Sequence, residues 1–373
     1  MSDYFGKNVF KLGFGMMRLP KLADGQIDVE TTKKMVDLFI EAGGTYFDTA
    51  YVYDGGKSEE ATCEALVKRY PRDKYTVCTK LNAGAAADEA SAKKQFEISL
   101  KRLGCGYFDY YLLHALGQGN MPKYDAYGIW DFVKEKKKEG LVKHFGFSFH
   151  DSPETLDKLL TEHPEVDFIQ LQINYADWES DNVASRACYE IARKHGKSIT
   201  VMEPVKGGAL ANPIPEVQKI LKEANPEASF ASWAIRYVAS LDSIITVLSG
   251  MSNIEQMEDN LSYMRDFKPL SESEQATVRR AQFALQNIDY IKCTGCRYCT
   301  DGCPMQIPIP SIFTARNEEL VFKNSAKSKA MYDEAVAGCG KASDCIKCMQ
   351  CEGACPQHLP ITDYLEEIVA VLE

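Results

Sequence analysis

Eight cysteines in the last quarter of the chain have types and spacing suited to binding metal. They form two runs of Cys-x2-Cys-x2-Cys-x3-Cys, each followed by proline: Cys293, Cys296, Cys299 and Cys303, then Cys345, Cys348, Cys351 and Cys355. Thiolate sulfur is the soft ligand that iron–sulfur clusters need, and gaps of two residues let three successive sulfurs of one loop reach one cluster. The spacing therefore predicts two 4Fe–4S clusters.

The fourth cysteine of each run usually serves the other cluster. We therefore predict two ligand sets: Cys293, Cys296, Cys299 and Cys355 for the first cluster, and Cys345, Cys348, Cys351 and Cys303 for the second. Two structural zinc sites are the alternative, but zinc favours two pairs of ligands per site. The other five cysteines are scattered, and we expect them in the core or at the surface: Cys63, Cys78, Cys105, Cys188 and Cys339.

The segment between the two cysteine runs holds helix-prone stretches at 309–323 and 325–338. It is long for a compact bacterial ferredoxin. The tail therefore resembles the α-helical dicluster ferredoxin modules of electron-transfer enzymes more than the small β-containing ferredoxins.

A second set of chemically capable residues lies in the first third of the chain. Asp48 and Tyr53 follow one predicted strand, Lys80 ends the next, and His114 ends the one after that. Each has a structural alternative when taken alone, such as a helix cap for Asp48 or a core histidine for His114. An acid, a phenol, an amine and an imidazole at successive strand ends indicate an acid–base site.

The elements that position these residues alternate between strand and helix patterns. Eight strands are predicted, at 11–15, 45–49, 75–80, 108–114, 143–148, 167–173, 198–203 and 243–249. Amphipathic runs between them include 29–43, 89–104 and 126–140. Eight such repeats favour an α/β fold, a (β/α)8 TIM barrel whose chemistry lies at the carboxyl ends of the strands. A doubly wound sheet is the alternative, but Gly13 and Gly15 lack the third glycine of a dinucleotide-binding turn.

The predicted organisation is a barrel over residues 1–282 followed by a small, mainly α-helical dicluster domain over 283–373. The chain has 373 residues, with 43 basic and 53 acidic side chains and a formal net charge of −10. This balance argues against a nucleic-acid or anionic-membrane partner, since both require a basic surface. No apolar run is long enough for a membrane span, and the first residues lack a secretory signal pattern. We therefore expect a cytoplasmic protein, with its cysteines as ligands or core residues rather than disulfides.

Several motifs together resemble the aldo/keto reductase superfamily. They are FDTAYVYD (47–54), TK (79–80), LLH (112–114), GFSFH (146–150), QLQINY (170–175), EPVKGGAL (203–210) and SGMSNIEQMEDN (249–260). The resemblance covers roughly residues 5 to 285. Together with the tail, it points to the iron–sulfur branch of that superfamily, found in anaerobic bacteria and archaea.

This resemblance implies a reversible hydride transfer between a nicotinamide and an aldehyde or ketone. Tyr53 matches the general acid, Lys80 the cation that lowers the pKa of that tyrosine, and Asp48 the carboxylate that holds the lysine. His114 matches the residue that orients the substrate carbonyl. The implied substrate is a small carbonyl or alcohol.

The resemblance also implies a set of contacts to NADP(H) or NAD(H). Ser148 and Gln170 match positions at the carboxamide, and the full set is Met16, Met17, Asp48, Ser148, Gln170, Met202, Gly207, Leu210, Gly250, Met251, Ser252, Gln256 and Asn260. Phe149 stands where many members have asparagine, and Met202 where many have a stacking tyrosine. Gly250 and Gln256 replace the Lys and Arg of NADPH-preferring members, which leaves NADPH and NADH both open.

The role of the clusters has three possible interpretations. In the first, the clusters are structural or regulatory parts of a nicotinamide-dependent carbonyl reductase. In the second, they relay electrons between a ferredoxin- or flavodoxin-like partner and a redox site in the barrel. In the third, the barrel is an inactive scaffold and the protein is an electron carrier. Hydride chemistry moves two electrons whereas a 4Fe–4S cluster moves one, and the sequence contains no flavin-binding signature to couple them. The complete acid–base set weighs against an inactive barrel.

Overall fold

The computed structural model describes residues 9–373, which form two compact units. The first, the barrel unit, comprises the described residues up to 180 together with 184–204 and 231–272. The second, the C-terminal unit, comprises 181–183, 205–230 and 273–373. The segment 205–230 follows the seventh strand in sequence, yet it belongs to the C-terminal unit.

Eight parallel strands form a closed barrel in which each strand pairs with the next and the eighth pairs with the first. They are β1 Leu12–Gly15, β2 Tyr46–Asp48, β3 Thr76–Leu81, β4 Phe108–Leu116, β5 Val142–Phe149, β6 Phe168–Gln172, β7 Ser198–Met202 and β8 Ile244–Ser249. The predicted (β/α)8 barrel is confirmed, and the strand ends differ from prediction by at most two residues.

Sixteen α-helices lie within the described part of the chain. They are α1 Val29–Glu41, α2 Lys57–Thr62, α3 Glu89–Leu103, α4 Met121–Ala126, α5 Ile129–Lys138, α6 Pro153–Glu162, α7 Ser185–Lys194, α8 Pro215–Ala224, α9 Phe230–Ala239, α10 Ile254–Met264, α11 Glu272–Gln286, α12 Tyr298–Asp301, α13 Ile309–Phe322, α14 Ser325–Ala335, α15 Gln350–Gly353 and α16 Ile361–Leu372. Within residues 9–373, none of these helices has the length and apolar character that a membrane crossing needs.

Local sequence explains where the barrel helices begin. The Asp28 side chain accepts a hydrogen bond from the Thr31 backbone N–H at 3.0 Å and caps α1. Asp88 and Ser91 form a reciprocal capping box at the start of α3, and Gly104 ends that helix in a left-handed conformation. Such caps satisfy backbone donors and acceptors that a helix end leaves unpaired.

Buried side chains fill the interior of the barrel. One cluster consists of Tyr46, Cys78, Tyr110, Leu112, Phe168, Ile245 and Leu248. Because side chains alternate along a strand, Asp48 and Lys80, each two residues beyond a member of this cluster, share its side of the strand. β2 and β3 are neighbours, with Asp48 opposite Cys78. The carboxyl ends of the strands therefore carry polar groups above an apolar layer.

The C-terminal unit is mainly helical, as predicted. Helices α13 and α14 coincide with the two helix-prone stretches between the cysteine runs, and no strand occurs in the described residues 273–373. Its core packs Ile312, Phe313, Tyr332 and Leu365 against the cysteine loops. The cysteine loops are thus held by a helical core rather than by a sheet.

Candidate active site and cysteine sites

A buried ion pair joins β2 to β3 at the carboxyl end of the barrel. The Lys80 Nζ donates hydrogen bonds to Asp48 Oδ1 and to the carbonyl oxygen of Thr49, the latter at 2.7 Å. The other carboxylate oxygen of Asp48 accepts a hydrogen bond from Gln170 Nε2 at 3.2 Å. The ammonium is therefore fixed in position by a carboxylate that is itself fixed by β6. Sequence reasoning did not identify Thr49 as a partner, because a carbonyl contact depends on backbone geometry and not on residue type.

Tyr53 begins a 3-10 helical turn, Tyr53–Gly56, five residues after the end of β2. The Lys80 Nζ lies 4.6 Å from the centroid of its ring, and the His114 ring centroid lies 5.6 Å from it with the two rings at 77°. The structure thus brings together the four residues that the sequence suggested. Their roles stay predictions.

The environment of Tyr53 acts on its pKa in a direction that differs from our expectation. Burial raises the pKa of Tyr53 well above 10, and the negative charges of Asp48 and Glu203 add to this effect. The predicted lowering by Lys80, which lies 4.6 Å from the ring centroid, is not the net result, because burial is the largest effect on this pKa. Tyr53 is therefore protonated at neutral pH and can act as a proton donor.

His114 is a neutral imidazole in this environment. Burial lowers its pKa well below 6.5, and the nearby Lys80 and His150 lower it further. Its Nδ1 atom has no hydrogen-bond partner among the residues that the structure describes. The Tyr124 hydroxyl donates to the His114 carbonyl oxygen at 2.7 Å and so holds the backbone here. A neutral ring fixed in this way can donate one hydrogen bond to a substrate oxygen.

Ser148 and Gln170, the predicted carboxamide contacts, are directly opposite each other on β5 and β6. The Ser148 hydroxyl oxygen accepts a hydrogen bond from the Ala115 backbone N–H at 2.7 Å. Met202 ends β7, opposite Gln172. Phe149, at the position where many relatives have asparagine, is buried against Phe147. It therefore packs into the protein and offers no amide group.

The predicted contacts near β1 lie in an ordered turn. Met16 and Met17 belong to the short helix Met16–Arg18, which follows β1 directly. The Ser58 hydroxyl donates to the Met16 carbonyl oxygen at 2.8 Å, and the Ser252 hydroxyl donates to the Arg18 carbonyl oxygen at 2.8 Å. These bonds tie the turn after β1 to α2 and to the segment after β8.

The predicted adenosine segment connects β8 to the start of α10. The Gln256 side-chain oxygen accepts from the Ser252 backbone N–H at 2.7 Å, and Asn260 Nδ2 donates to Ser249 Oγ at 3.0 Å. Gly250 and Met251 lie between these bonded residues. Gly207 and Leu210 belong to the C-terminal unit instead, where Leu210 is buried. These two predicted nucleotide contacts therefore lie outside the barrel unit.

Four cysteines line one cavity in the C-terminal unit. They are Cys293, Cys296, Cys299 and Cys355, around an empty volume of about 310 Å³. The remaining lining is largely apolar and includes Phe313 and Leu359. Burial raises the pKa of Cys293 to about 11 and that of Cys299 to about 12. Iron would supply the positive charge that converts such buried thiols to thiolates, so the donor set and its surroundings fit a cluster.

The other four cysteines of the two runs line a second cavity. They are Cys303, Cys345, Cys348 and Cys351, around an empty volume of about 320 Å³. Burial raises the pKa of Cys351 to about 11. Each cavity thus contains the first three cysteines of one run and the fourth cysteine of the other, as the spacing rule predicts. Cys339 lines neither cavity and is exposed.

Comparison with protein families gives two matches that together cover most of the chain. Residues 11–282 match the aldo/keto reductase family, and residues 292–359 match the 4Fe–4S dicluster domain. The predicted combination of a reductase barrel and a C-terminal dicluster domain is therefore confirmed.

Curated relatives are similar to the barrel part of the chain. An uncharacterized oxidoreductase of Bacillus subtilis, YqkF, is 23% identical over 287 residues, which cover 67% of this chain and 89% of that protein. An NADH-specific methylglyoxal reductase of Escherichia coli is 24% identical over 299 residues, which cover 67% of this chain and 88% of that protein. An NAD(P)H-dependent 6'-deoxychalcone synthase of Glycine max is 29% identical over 285 residues, which cover 68% and 84%.

Solved structures share the same fold. The holo form of an aldo-keto reductase from Bacillus halodurans matches with a TM-score of 0.60 at 24% identity, covering 75% of this chain and 95% of that one. A Klebsiella pneumoniae aldo/keto reductase in complex with NADP and acetate matches with a TM-score of 0.61 at 22% identity, covering 73% and 91%. At these identities the likeness concerns the fold.

Proposed function

Because the chain belongs to the aldo/keto reductase family, we propose that it catalyses the reversible reduction of an aldehyde or ketone with a nicotinamide coenzyme. One observation carries this proposal: the Tyr53 ring lies within 4.6 Å of the Lys80 ammonium and 5.6 Å of the His114 ring. A proton donor, a fixed cation and a neutral imidazole at the carboxyl end of a barrel suit a carbonyl substrate.

Each side chain has one role in this proposal. Tyr53 gives its phenolic proton to the carbonyl oxygen as negative charge develops there. Lys80, held by Asp48, stabilises the phenolate that remains. His114 donates a hydrogen bond to the same oxygen and so orients the carbonyl group. In the reverse reaction, the Tyr53 phenolate accepts the proton of the alcohol.

The coenzyme supplies the hydride for the carbonyl carbon when it is bound. Support for its binding comes from relatives: the Klebsiella pneumoniae protein was solved with NADP, and the Escherichia coli relative is NADH-specific. Gly250 and Gln256 carry no charge, so the segment after β8 offers neither of the two cations that NADPH-preferring members have there. We therefore propose NADP(H) or NAD(H), to be distinguished by the ratio of their kcat/KM values.

Replacing the proton donor tests this function. Tyr53→Phe removes only the hydroxyl group, and we expect kcat to fall by about 10²–10⁴-fold, the usual contribution of general acid catalysis. Tyr107→Phe is a matched control, since Tyr107 precedes β4 at the opposite end of the barrel. The assay is anaerobic carbonyl reduction with NADPH or NADH over a panel of aldehydes and ketones. Retention of activity in Tyr53→Phe, or nucleotide binding without turnover of any carbonyl, would contradict the proposal.

We propose that the two four-cysteine cavities each bind one 4Fe–4S cluster, which supplies single-electron transfer. The proposal rests on the dicluster family match and on the cysteine linings of the two cavities. No two of the thirteen cysteines, all within the described residues, form a disulfide, which suits a reducing compartment such as the cytoplasm. We also propose that the boundary between the two domains lies between residues 282 and 283. The aldo/keto reductase match ends at residue 282, and the dicluster match begins at residue 292.

A second candidate function is electron transfer to a small redox protein, and the surface beside the second cavity favours it. Ile346 is 62% exposed, and Met349 is 50% exposed. Both lie in the second cysteine run, where Cys348 is also exposed. Apolar side chains around an exposed redox centre suit a transient contact with a ferredoxin- or flavodoxin-like partner.

The two candidate functions differ in their dependence on the second cluster. Cys348→Ser weakens that cluster while leaving the barrel residues intact. Unchanged carbonyl turnover with NAD(P)H would argue against an obligatory electron relay. Loss of turnover driven by a reduced ferredoxin, with NAD(P)H-driven turnover retained, would establish the second function beside the first.

A further inference from the structure

A short turn after β7 packs against the first cysteine run within the C-terminal unit. The turn is Lys206–Gly208, in which Lys206 has a φ of 49° and Gly207 a φ of 64°. A Cβ atom on Gly207 would lie 2.1 Å from the carbonyl oxygen of Thr294, the residue after Cys293. A side chain at position 207 would therefore displace the backbone of the first cysteine run. The left-handed conformation of Lys206 costs about 1–2 kcal/mol, so the surrounding packing must hold this turn in place.

This turn buries a positive charge beside the first cavity. Lys206 is only 2% exposed, and its Nζ donates a hydrogen bond to Gln357 Oε1 at 3.1 Å. Gln357 lies two residues after Cys355, is itself buried, and lines the first cavity together with Thr294. Solvent screens a buried charge much less than an exposed one, so the field of this ammonium reaches a cluster held in the cavity that Gln357 lines.

We infer that Lys206 tunes the reduction potential of the cluster bound by Cys293, Cys296, Cys299 and Cys355, making that cluster easier to reduce. A cluster with four thiolate ligands carries net negative charge, and reduction adds one more electron. A fixed cation stabilises the reduced form more than the oxidised form, and net charge and hydrogen bonding are known levers on cluster potential.

The test is a redox titration of the anaerobically purified holoprotein, followed by electron paramagnetic resonance. Lys206→Met removes the charge and keeps much of the apolar stem. At a fixed solution potential, we expect the ratio of reduced to oxidised first cluster to fall about tenfold, equivalent to about 59 mV for one electron. Lys327→Met is the matched control, because the Lys327 side chain is 59% exposed, pairs with Glu318 and lines neither cavity.

Gln357→Glu provides a second variant that keeps the lysine. It places an anion against the Lys206 ammonium, so it should also lower the potential of the first cluster. Support for the inference requires that one of the two cluster transitions moves to lower potential in both variants, that Lys327→Met matches the parent, and that iron and sulfide contents are unchanged. Unchanged transitions, or equal shifts of both, would overturn it. If Lys206→Met loses iron, Gln357→Glu decides, and an unshifted transition there overturns the inference.

Discussion

Removing the buried Lys80 ammonium should separate its contribution to stability from its contribution to catalysis. Lys80→Met leaves the Asp48 carboxylate buried without its cation, although Gln170 Nε2 still donates to it at 3.2 Å. Loss of one partner of a buried ion pair typically costs about 3–5 kcal/mol, because an uncompensated charge remains in the interior. We therefore expect the free energy of unfolding of the barrel to fall by about that amount.

The double variant Asp48→Asn/Lys80→Met should recover most of this loss. Replacing both members of a buried pair by neutral groups is often close to neutral for stability, so the two substitutions should be strongly non-additive. Carbonyl reduction should stay impaired in the double variant, because the cation that stabilises the Tyr53 phenolate is absent. Adding Asp48→Asn to Lys80→Met should thus restore stability without restoring activity.

Tryptophan fluorescence can follow the barrel alone during chemical denaturation. All three tryptophans, Trp130, Trp178 and Trp233, lie in the barrel unit. Lys158→Met is the control, since its ion pair with Glu162 is at the surface and should contribute less than about 1 kcal/mol. A loss in Lys80→Met no greater than in the control, or full additivity in the double variant, would refute the argument from a buried charge.

Two further predictions concern the pH dependence of catalysis and of stability. Burial raises the pKa of Tyr53 above 10, so the rate of carbonyl reduction should vary little between about pH 6 and 9. The rate of alcohol oxidation should instead rise with pH, because it needs the phenolate. A reduction rate that falls through pH 7–8 would contradict this prediction. The pKa of His114 lies well below 6.5 in the folded state, so at acidic pH the unfolded chain binds more protons at this residue. The free energy of unfolding should therefore fall as the pH drops below about 6.5, by up to about 1.4 kcal/mol per pH unit. Denaturation curves of His114→Gln should show a flatter dependence on pH.

The fold was largely predictable from the sequence because its signals are local. Strands β1–β8 each carry a short buried apolar run, and helices such as α1 and α3 carry their own caps within three residues. The cysteine runs are likewise local, because the spacing within one loop determines which sulfurs can share a cluster. These patterns need no knowledge of contacts that are distant along the chain.

The behaviour of the site depends on contacts between distant residues. Asp48 and Gln170 are 122 residues apart, and Lys206 and Gln357 are 151 residues apart, yet each pair is hydrogen-bonded in the interior. The rise in the pKa of Tyr53 also follows from burial, whereas the presence of Lys80 in the sequence predicted a lowered pKa.

The sequence by itself determined the barrel, the helical tail, the eight cysteines and the residue types of the acid–base set. Only the tertiary structure decided which charges are paired, which phenol stays protonated, and that the turn at Lys206 belongs with the C-terminal unit. The reason is physical: propensity and ligand spacing act over a few residues, whereas desolvation and Coulomb energies depend on every atom that folding brings near a charge.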